Sequence, residues 1–505
     1  MTAGTIADLL KTGADDAFAL SAPGGTKALT FRALRALVAE IAGSLASQGI
    51  GAGDRVGIVL DNGPEMATAF LTIASAATAA PLNPSYRAEE FEFYLSDLGA
   101  KLLVVAAGKD TPALGVAAKL DIPVARLVAH PEQGVGTFTL EYESRGTPKK
   151  ARATNLDDIA LVLHTSGTTS RPKIVPLAHR NIAASAGNIR KTLALTAKDR
   201  GLVIMPLFHI HGLIAALSAP LSAGGEVCCS PGFNALKFFA WLDEMKPTWY
   251  TGVPTMHQAI LLRAPGNAEI VKNHRLRFIR SSSSPLPPTV IAELERVFGV
   301  PVVEAYGMTE ATHQMASNPL GGPRKAGTVG PSGGPEIRVV DETGTTVPSG
   351  KTGEIVIRGP NVMTAYENNP KANAEAFYDG WFRTGDQGVM DEDGYVSITG
   401  RLKEIINRGG EKISPREVDE IIMEHPAVHQ CVTFAMPHDM LGEDVAAAIV
   451  LRQGTAATDK ELREFASARL APYKVPRKIL IVEQIPVGAT GKLQRIGLAQ
   501  KLGLT

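Results

Sequence analysis

Between residues 30 and 165 the chain alternates two textures. Stretches with helical spacing of apolar positions, LRALVAEIAGSLASQGI from Leu34 and EMATAFLTIASAATA from Glu65, are separated by short apolar runs, RVGIVL from Arg55, AAPLN from Ala79 and KLLVVA from Lys101. That alternation predicts an α/β layered domain with a largely parallel sheet. It resumes in WYTGVPT from Trp249, LRFIRSSSS from Leu276 and VPVVEAYG from Val300, each an apolar strand running into small or polar residues where ligands meet strand ends. From about Gly327 the pattern changes to GPEIRVVD, GEIVIRG and GYVSITGR, punctuated by DETG and DEDG turns, which predicts an antiparallel sheet or distorted barrel. After Gly400 comes a third texture: helix PREVDEIIMEH, strands CVTFAMP and VAAAIVL, helix DKELREFASARL and a last strand KILIVEQIP. The expected division is a large domain over 1–400, comprising layered α/β subdomains and a β-barrel-like part, and a small α+β domain over 401–505.

Length agrees with that plan, since 505 residues correspond to about three folding units at ~150 residues each. The 51 Lys+Arg cancel the 51 Asp+Glu, and 20% charged beside 45% hydrophobic residues excludes both a disordered chain and a polycation built for nucleic acid. Three cysteines, two of them adjacent, supply neither a disulfide framework nor a cysteine zinc cluster, which fits a reducing cytoplasm. The first residues lack a basic start with an apolar run, and the last lack a targeting tripeptide, so no address is expected. Gly201 to Gly225 contains no Asp, Glu, Lys or Arg, but Pro206, Pro220, His209 and His211 argue against a membrane span. It reads instead as a strand LVIM, a turn PLFHIHG carrying both histidines, and a helix from Leu213.

Three motifs dissolve on inspection. Gly49, Gly51 and Gly53 precede the strand RVGIVL, whereas a dinucleotide fingerprint follows one. SGKTGE at Ser349 ends like a P-loop, yet five residues separate Gly344 from Gly350 where four are needed, and a strand follows. His425 and His429 have helical metal-ligand spacing but flank Pro426 with no third ligand nearby, so an ordinary helix-to-strand connection is expected.

The strongest signal is LVLHTSGTTSRPKIVPLAH, a strand running into Thr165, Ser166, Gly167, Thr168 and Thr169, then Pro172 and Lys173. Four hydroxyls around a glycine, followed by a fixed lysine, supply the backbone freedom and the donors that a polyphosphate needs. After it, in order, come AYGMTE at Ala305, WFRTGD at Trp381, GRLKEIINRGGEKISPREVD at Gly400 and GKLQR at Gly491. The set resembles the AMP-forming, adenylate-forming superfamily of acyl-CoA synthetases, over nearly the whole chain. The resemblance implies ATP, Mg²⁺ and CoA chemistry with Thr165 to Thr169, Lys173, Ser284, Glu304 and Ala305 around the nucleotide. By the same resemblance Tyr306 stacks on adenine, Thr309 contacts phosphate, Glu310 holds Mg²⁺ with Thr165, Asp386 takes the ribose hydroxyls and Arg401 reaches the nucleotide. Each role suits the residue: an aromatic face for a base, a hard carboxylate for Mg²⁺, a permanent cation for an anion. Lys492 stands at the superfamily's adenylation lysine and Lys403 at its hinge, where backbone rotation rather than the side chain matters. Ser170 stands where the phosphate loop usually has glycine.

For the acid, His209, His211, Ser282, Ser283, Ser284 and His313 make a polar rather than apolar pocket. A second buried carboxylate demands such donors. FHIHG with MTEATHQMASNP resembles the oxalyl-CoA synthetase branch. That resemblance implies His211, Ser283 and His313 for oxalate and His209 as the gate or catalytic histidine, the two histidines being exchangeable. Malonyl-CoA synthetases share the texture but carry Arg before the Tyr-Gly of their fifth motif, where this chain has Ala305. The expected partners are small molecules, oxalate, ATP and CoA. A malonate or other small-acid CoA ligase is the alternative. A luciferase-like oxygenase, a peptide-synthetase unit and a silent nucleotide-binding scaffold are the other readings, and Lys173, Glu310, Asp386 and Lys492 together argue against the scaffold.

Overall fold

The computed structural model describes residues 4–144, 146–150, 152–165, 172–486 and 494–504. They group into two compact units, one of residues up to Thr165 with Lys173–Glu336 and Ile357–Glu375, the other of Ile337–Val356 and Ala376–Thr505.

The first unit holds two mainly parallel sheets. In the seven-stranded sheet Arg55–Val59 lies between Thr78–Pro81 and Leu102–Ala106, all parallel, with an antiparallel strand closing each edge. Helices Phe31–Ser47 and Pro64–Ala76 fall where the spacing predicts them; the first is capped by Thr30, whose hydroxyl accepts from the Ala33 amide. The eight-stranded sheet runs Arg200–Val203, Trp249–Gly252, Phe278–Ser281, Val302–Met308 in parallel and ends on the antiparallel His313–Ser317. Its core packs Leu202, Phe238, Tyr250, Ile279 and Leu294, all buried. Helices cover such sheets on both faces, so the strands read as continuous apolar runs.

One expectation needs correction here. The turn PLFHIHG stops early: a π-helical segment, His211–Ser218, begins on the second histidine and buries it completely. Gly212 allows this, because a Cβ there would lie 2.1 Å from the Pro206 carbonyl oxygen. Single π turns inside helices often mark functional sites. Among the described residues no helix is long and apolar enough to cross a membrane.

In the second unit Trp381–Met390 runs antiparallel to Phe377–Tyr378 and to Val396–Arg401 within a five-stranded sheet. A further sheet centred on Gly442–Leu451 packs against helices Pro415–Met423 and Asp459–Ser467. His429 sits on the strand Val428–His438, and the false P-loop leads into the strand Thr352–Arg358. The compact units change over at Glu375/Ala376, and position 401 lies inside a bonded network of the second unit. The Ser414 hydroxyl donates to the Thr399 carbonyl, and the Arg416 guanidinium donates to the Ile398 carbonyl at 2.6 Å.

Candidate active site

The strands on either side of the hydroxyl-rich segment pair with each other. Ile159–Thr165 pairs antiparallel with Lys173–Ala178, and the last register partners before the loop are Thr165 and Lys173. Ser166, Gly167, Thr168 and Thr169 lie outside the described residues, as does Lys492. The Lys173 ammonium sits 4.4 Å over the ring of Tyr366, whose hydroxyl donates at 2.7 Å to a carboxylate oxygen of Glu310. Both Tyr366 and Glu310 are buried, and the Glu310 carbonyl accepts from the Met363 amide at 2.8 Å. The first unit thus links the loop lysine to the acidic residue through one tyrosine.

Glu310 belongs to the short 3₁₀ turn Thr309–Ala311 that joins Val302–Met308 to His313–Ser317. The register slips between Tyr306 and Gly307, and only glycine fits there, since a Cβ would lie 1.7 Å from the His313 carbonyl oxygen. Tight closure forces Thr312 (φ 50°) and His313 (φ 88°) into the left-handed region, where non-glycine residues are strained. Ser283 shares that conformation at φ 74°.

These strained residues meet in a polar basket. The rings of His211 and His313 stack with centroids 4.6 Å apart at 22°. His211 Nδ1 lies 3.0 Å from Ser283 Oγ, and its Nε2 lies 2.7 Å from Thr251 Oγ1. Behind them is Arg280, fully buried on the strand Phe278–Ser281, with Nη1 3.2 Å from His313 Nε2 and 3.3 Å from both His211 Nε2 and Thr251 Oγ1. Its Nη2 donates to Gln314 Oε1 at 3.2 Å. Burial pulls the guanidinium pKa down to about 9, so it remains charged at neutral pH. A sheet of parallel strands offers such residues at its carboxyl ends, the usual place for a ligand.

A family model described as AMP-binding enzyme matches residues 10–367, and one described as AMP-binding enzyme C-terminal domain matches 417–492. The chain belongs to the AMP-binding enzyme family. It is 44% identical over 479 residues to the oxalate–CoA ligase of Arabidopsis thaliana, covering 94% of this enzyme and 93% of that protein. It is 42% identical over 473 residues to the oxalate–CoA ligase of Saccharomyces cerevisiae, covering 88% and 86%. The crystal structure of ATP-bound MatB from Rhodopseudomonas palustris superposes with a TM-score of 0.88 at 29% identity, covering 99% of both chains.

The expected site residues of this AMP-binding enzyme divide by surroundings. His211, Ser283 and His313 come together as anticipated, whereas Ser282 is spent on the Ala305 carbonyl at 2.9 Å and Ser284 is exposed, donating to the Ser283 carbonyl at 2.8 Å. Glu304 is buried and accepts from the Leu286 amide at 3.0 Å, while Tyr306 is buried on the same strand. His209 precedes the π-helical segment, its amide donating to the Pro206 carbonyl at 3.3 Å. In the second unit Asp386 is buried and faces Arg401 across the strand pair, with Arg401 Nε donating at 3.0 Å. Lys403 is exposed in the 3₁₀ turn Leu402–Glu404. Among the described residues no three His, Cys, Asp or Glu side chains form a metal cage. A single buried carboxylate such as Glu310 suits an ion carried mainly by phosphate oxygens, as Mg²⁺ is in nucleotide sites. The sequence places Arg280 and Gln314 in the stretches Arg280–Leu286 and Ala311–Leu320 that shape the acyl pocket, without a role of their own, and assigns none to Thr251 and Tyr366. An arginine inside a strand expected to be covered on both faces was the available signal for the first.

Proposed function

We propose that this enzyme is an ATP-dependent oxalate–CoA ligase. A carboxylate oxygen of oxalate attacks the α-phosphorus of ATP and pyrophosphate leaves, giving oxalyl-AMP. The CoA sulfur, losing its proton, then attacks the oxalyl carbonyl and AMP departs, giving oxalyl-CoA. The observation that carries the reading is the basket formed by buried His211, His313 and Arg280 with half-buried Ser283, whose polar groups would otherwise be costly to bury. A substrate with a second carboxylate beside the reacting one uses such donors, and the similarity to two oxalate–CoA ligases supports that choice.

Glu310 and the Thr165 hydroxyl would hold Mg²⁺, which when bound offsets the negative charge of the triphosphate. Lys173 and the loop Thr165 to Thr169 position the phosphates, with Thr309 contacting one of them and Ser284, Glu304 and Ala305 close to the nucleotide. Tyr306 offers a face to adenine, Asp386 accepts from the ribose hydroxyls, and Arg401 orients that carboxylate while reaching the nucleotide. His209 gates the acyl site. Lys492 stabilises the charge that builds at the α-phosphate during adenylation. The backbone at Lys403 serves as the hinge between the 1–400 and 401–505 segments as the second half-reaction replaces the first.

Pyrophosphate release measured across formate, acetate, oxalate, malonate, succinate and coumarate, with and without CoA, tests the assignment. Oxalate should give the highest kcat/KM. A faster malonate or coumarate reaction would overturn the substrate and leave the ligase class.

A further inference from the structure

Arg280 presents a problem that its neighbours resolve. A guanidinium carries only donors, so any nitrogen facing it at hydrogen-bond distance must offer a lone pair. Nη1 has two hydrogens: one meets His313 Nε2 at 3.2 Å, the other Thr251 Oγ1 at 3.3 Å, and the Thr251 proton then goes to His211 Nε2 at 2.7 Å, which leaves both Nε2 atoms without protons. Each neutral ring then carries its proton on Nδ1. For His211 that proton points at Ser283 Oγ, 3.0 Å away, so Ser283 accepts from the ring and keeps its own hydroxyl proton to donate onward. Thr251 is therefore the relay through which Arg280 sets His211, whereas the guanidinium meets His313 directly. Gln314 holds the other arm of the fork and is itself fixed, donating to Thr192 Oγ1 at 3.1 Å and the Gly333 carbonyl at 3.0 Å.

The charge balance adds a second line. Arg280 is fully buried, and among the described residues no carboxylate pairs with it. Its Nε is a buried donor with no hydrogen-bond acceptor among them. Burying an unpaired cation is expensive, and such a cation is retained where an anion is to be recognised. Stacked imidazoles 4.6 Å apart beside it disfavour further positive charge on either ring, which keeps both neutral and oriented.

We propose that Arg280 is the positioning residue that sets the tautomers of His211 and His313 and supplies the positive field selecting a substrate whose second carboxylate adjoins the reacting one. The inference rests on the oxalate reading and deepens it. Arg280 acts through the imidazoles and Ser283, so its loss changes which acid is preferred more than it changes the use of ATP. Three pocket residues thereby become one unit with a common origin of polarity.

Glyoxylate, which keeps the length of oxalate but replaces one carboxylate by an aldehyde, is the probe, with pyrophosphate release giving kcat/KM for both acids in the unaltered enzyme, Arg280→Met and Arg280→Lys. Arg280→Met should lower the oxalate-to-glyoxylate ratio of kcat/KM roughly 10- to 100-fold, as removal of charge-assisted hydrogen bonding does, with the loss falling on oxalate far more than on KM for ATP. Arg280→Lys should recover part of the loss, since it restores the charge without the planar fork. Parallel decline for the two acids would make Arg280 scaffold and overturn the proposal. An unaltered enzyme that favours another acid over oxalate removes the substrate assignment instead, and the two failures are distinct. Should Arg280→Met not fold, ¹⁵N-histidine spectra of the unaltered enzyme, assigned with His211→Gln and His313→Gln, decide: both Nε2 signals must be of the unprotonated type, and a protonated His313 Nε2 sinks the tautomer assignment.

Discussion

Tyr366→Phe isolates one oxygen in the part of the site proposed to handle phosphate. The ring remains, so the contact with the Lys173 ammonium 4.4 Å above it is kept, along with its ~0.5–2 kcal/mol of cation–π attraction. What disappears is the 2.7 Å hydrogen bond to Glu310, in which a hydroxyl donates to a buried carboxylate oxygen. Bonds of that kind contribute about 1.5–3 kcal/mol net, a factor of roughly 10 to 150 in an equilibrium that depends on the carboxylate's orientation. The backbone of Glu310 stays anchored through the Met363 amide, 2.8 Å from its carbonyl, so the change is confined to the side chain. Residues that orient a metal-binding carboxylate typically matter by ~10- to 100-fold in metal affinity. The Mg²⁺ concentration for half-maximal pyrophosphate release should therefore rise about tenfold or more. Calorimetric titration with ATP should weaken in parallel when Mg²⁺ is limiting, while KM for oxalate stays put. A folded Tyr366→Phe enzyme with an unchanged Mg²⁺ response would show that Glu310 needs no orienting hydroxyl, and would remove this tyrosine from the account.

Three other outcomes follow from the assigned roles. Lys492→Ala should slow adenylate formation by ~10²-fold or more while sparing CoA attack on supplied oxalyl-AMP, and equal losses in both half-reactions would make the lysine structural. Asp386→Ala should weaken ATP binding by roughly 1.5–3 kcal/mol in calorimetry, because the charged acceptor for the ribose hydroxyls is lost; unchanged affinity in a folded variant refutes that role. His257 and His179 are both lowered by burial from 6.5 to about 4, so the unfolded chain binds more protons than the native one between those values. Stability of the first unit is accordingly complete above pH 6.5 and declines as pH falls toward 4, by up to ~3 kcal/mol for the fully buried His257. Denaturant midpoints that stay level from pH 7 to 4.5 would contradict it.

The parts of this enzyme that were legible in its sequence are those written in local patterns. Thr165 and Lys173 could be placed on either side of a loop because the apolar runs on both sides read as strands, and they prove to be register partners. The pairing of His211 with Ser283 and His313 was anticipated from motif resemblance and not from spacing, since 72 residues separate the first two. What escaped is what depends on depth. Arg280 stands inside the RSSSSPL run, yet only the covering of its strand on both faces turns an ordinary arginine into a buried charge with no carboxylate partner among the described residues. Tyr366 carries no motif at all, and it is held in place by Asn373, whose side chain bonds the Tyr366 amide at 2.7 Å and its carbonyl at 2.8 Å. The π-helical start at His211 is also a tertiary effect, resting on the close approach of Gly212 to Pro206.

Backbone strain and buried charge converge on the same few residues, and together they bear on selectivity. Only eight non-glycine residues among those described have positive φ, and Ser283, Thr312 and His313 are three of them. Each such conformation costs on the order of 1–3 kcal/mol and persists only where surrounding structure demands it. Here the demand comes from bringing an imidazole and a hydroxyl onto Arg280 and His211 from two different strand ends. A monocarboxylic acid brings no second charge to that end of the pocket, so the donors arranged by Arg280 would be left desolvated and unmatched. Sites built to hydrogen-bond one group reject analogues that lack it far more strongly than apolar pockets reject a missing methylene. The features that make the basket costly to fold are therefore the ones that discriminate, and a small dianion such as oxalate is the acid for which that cost is recovered in the transition state.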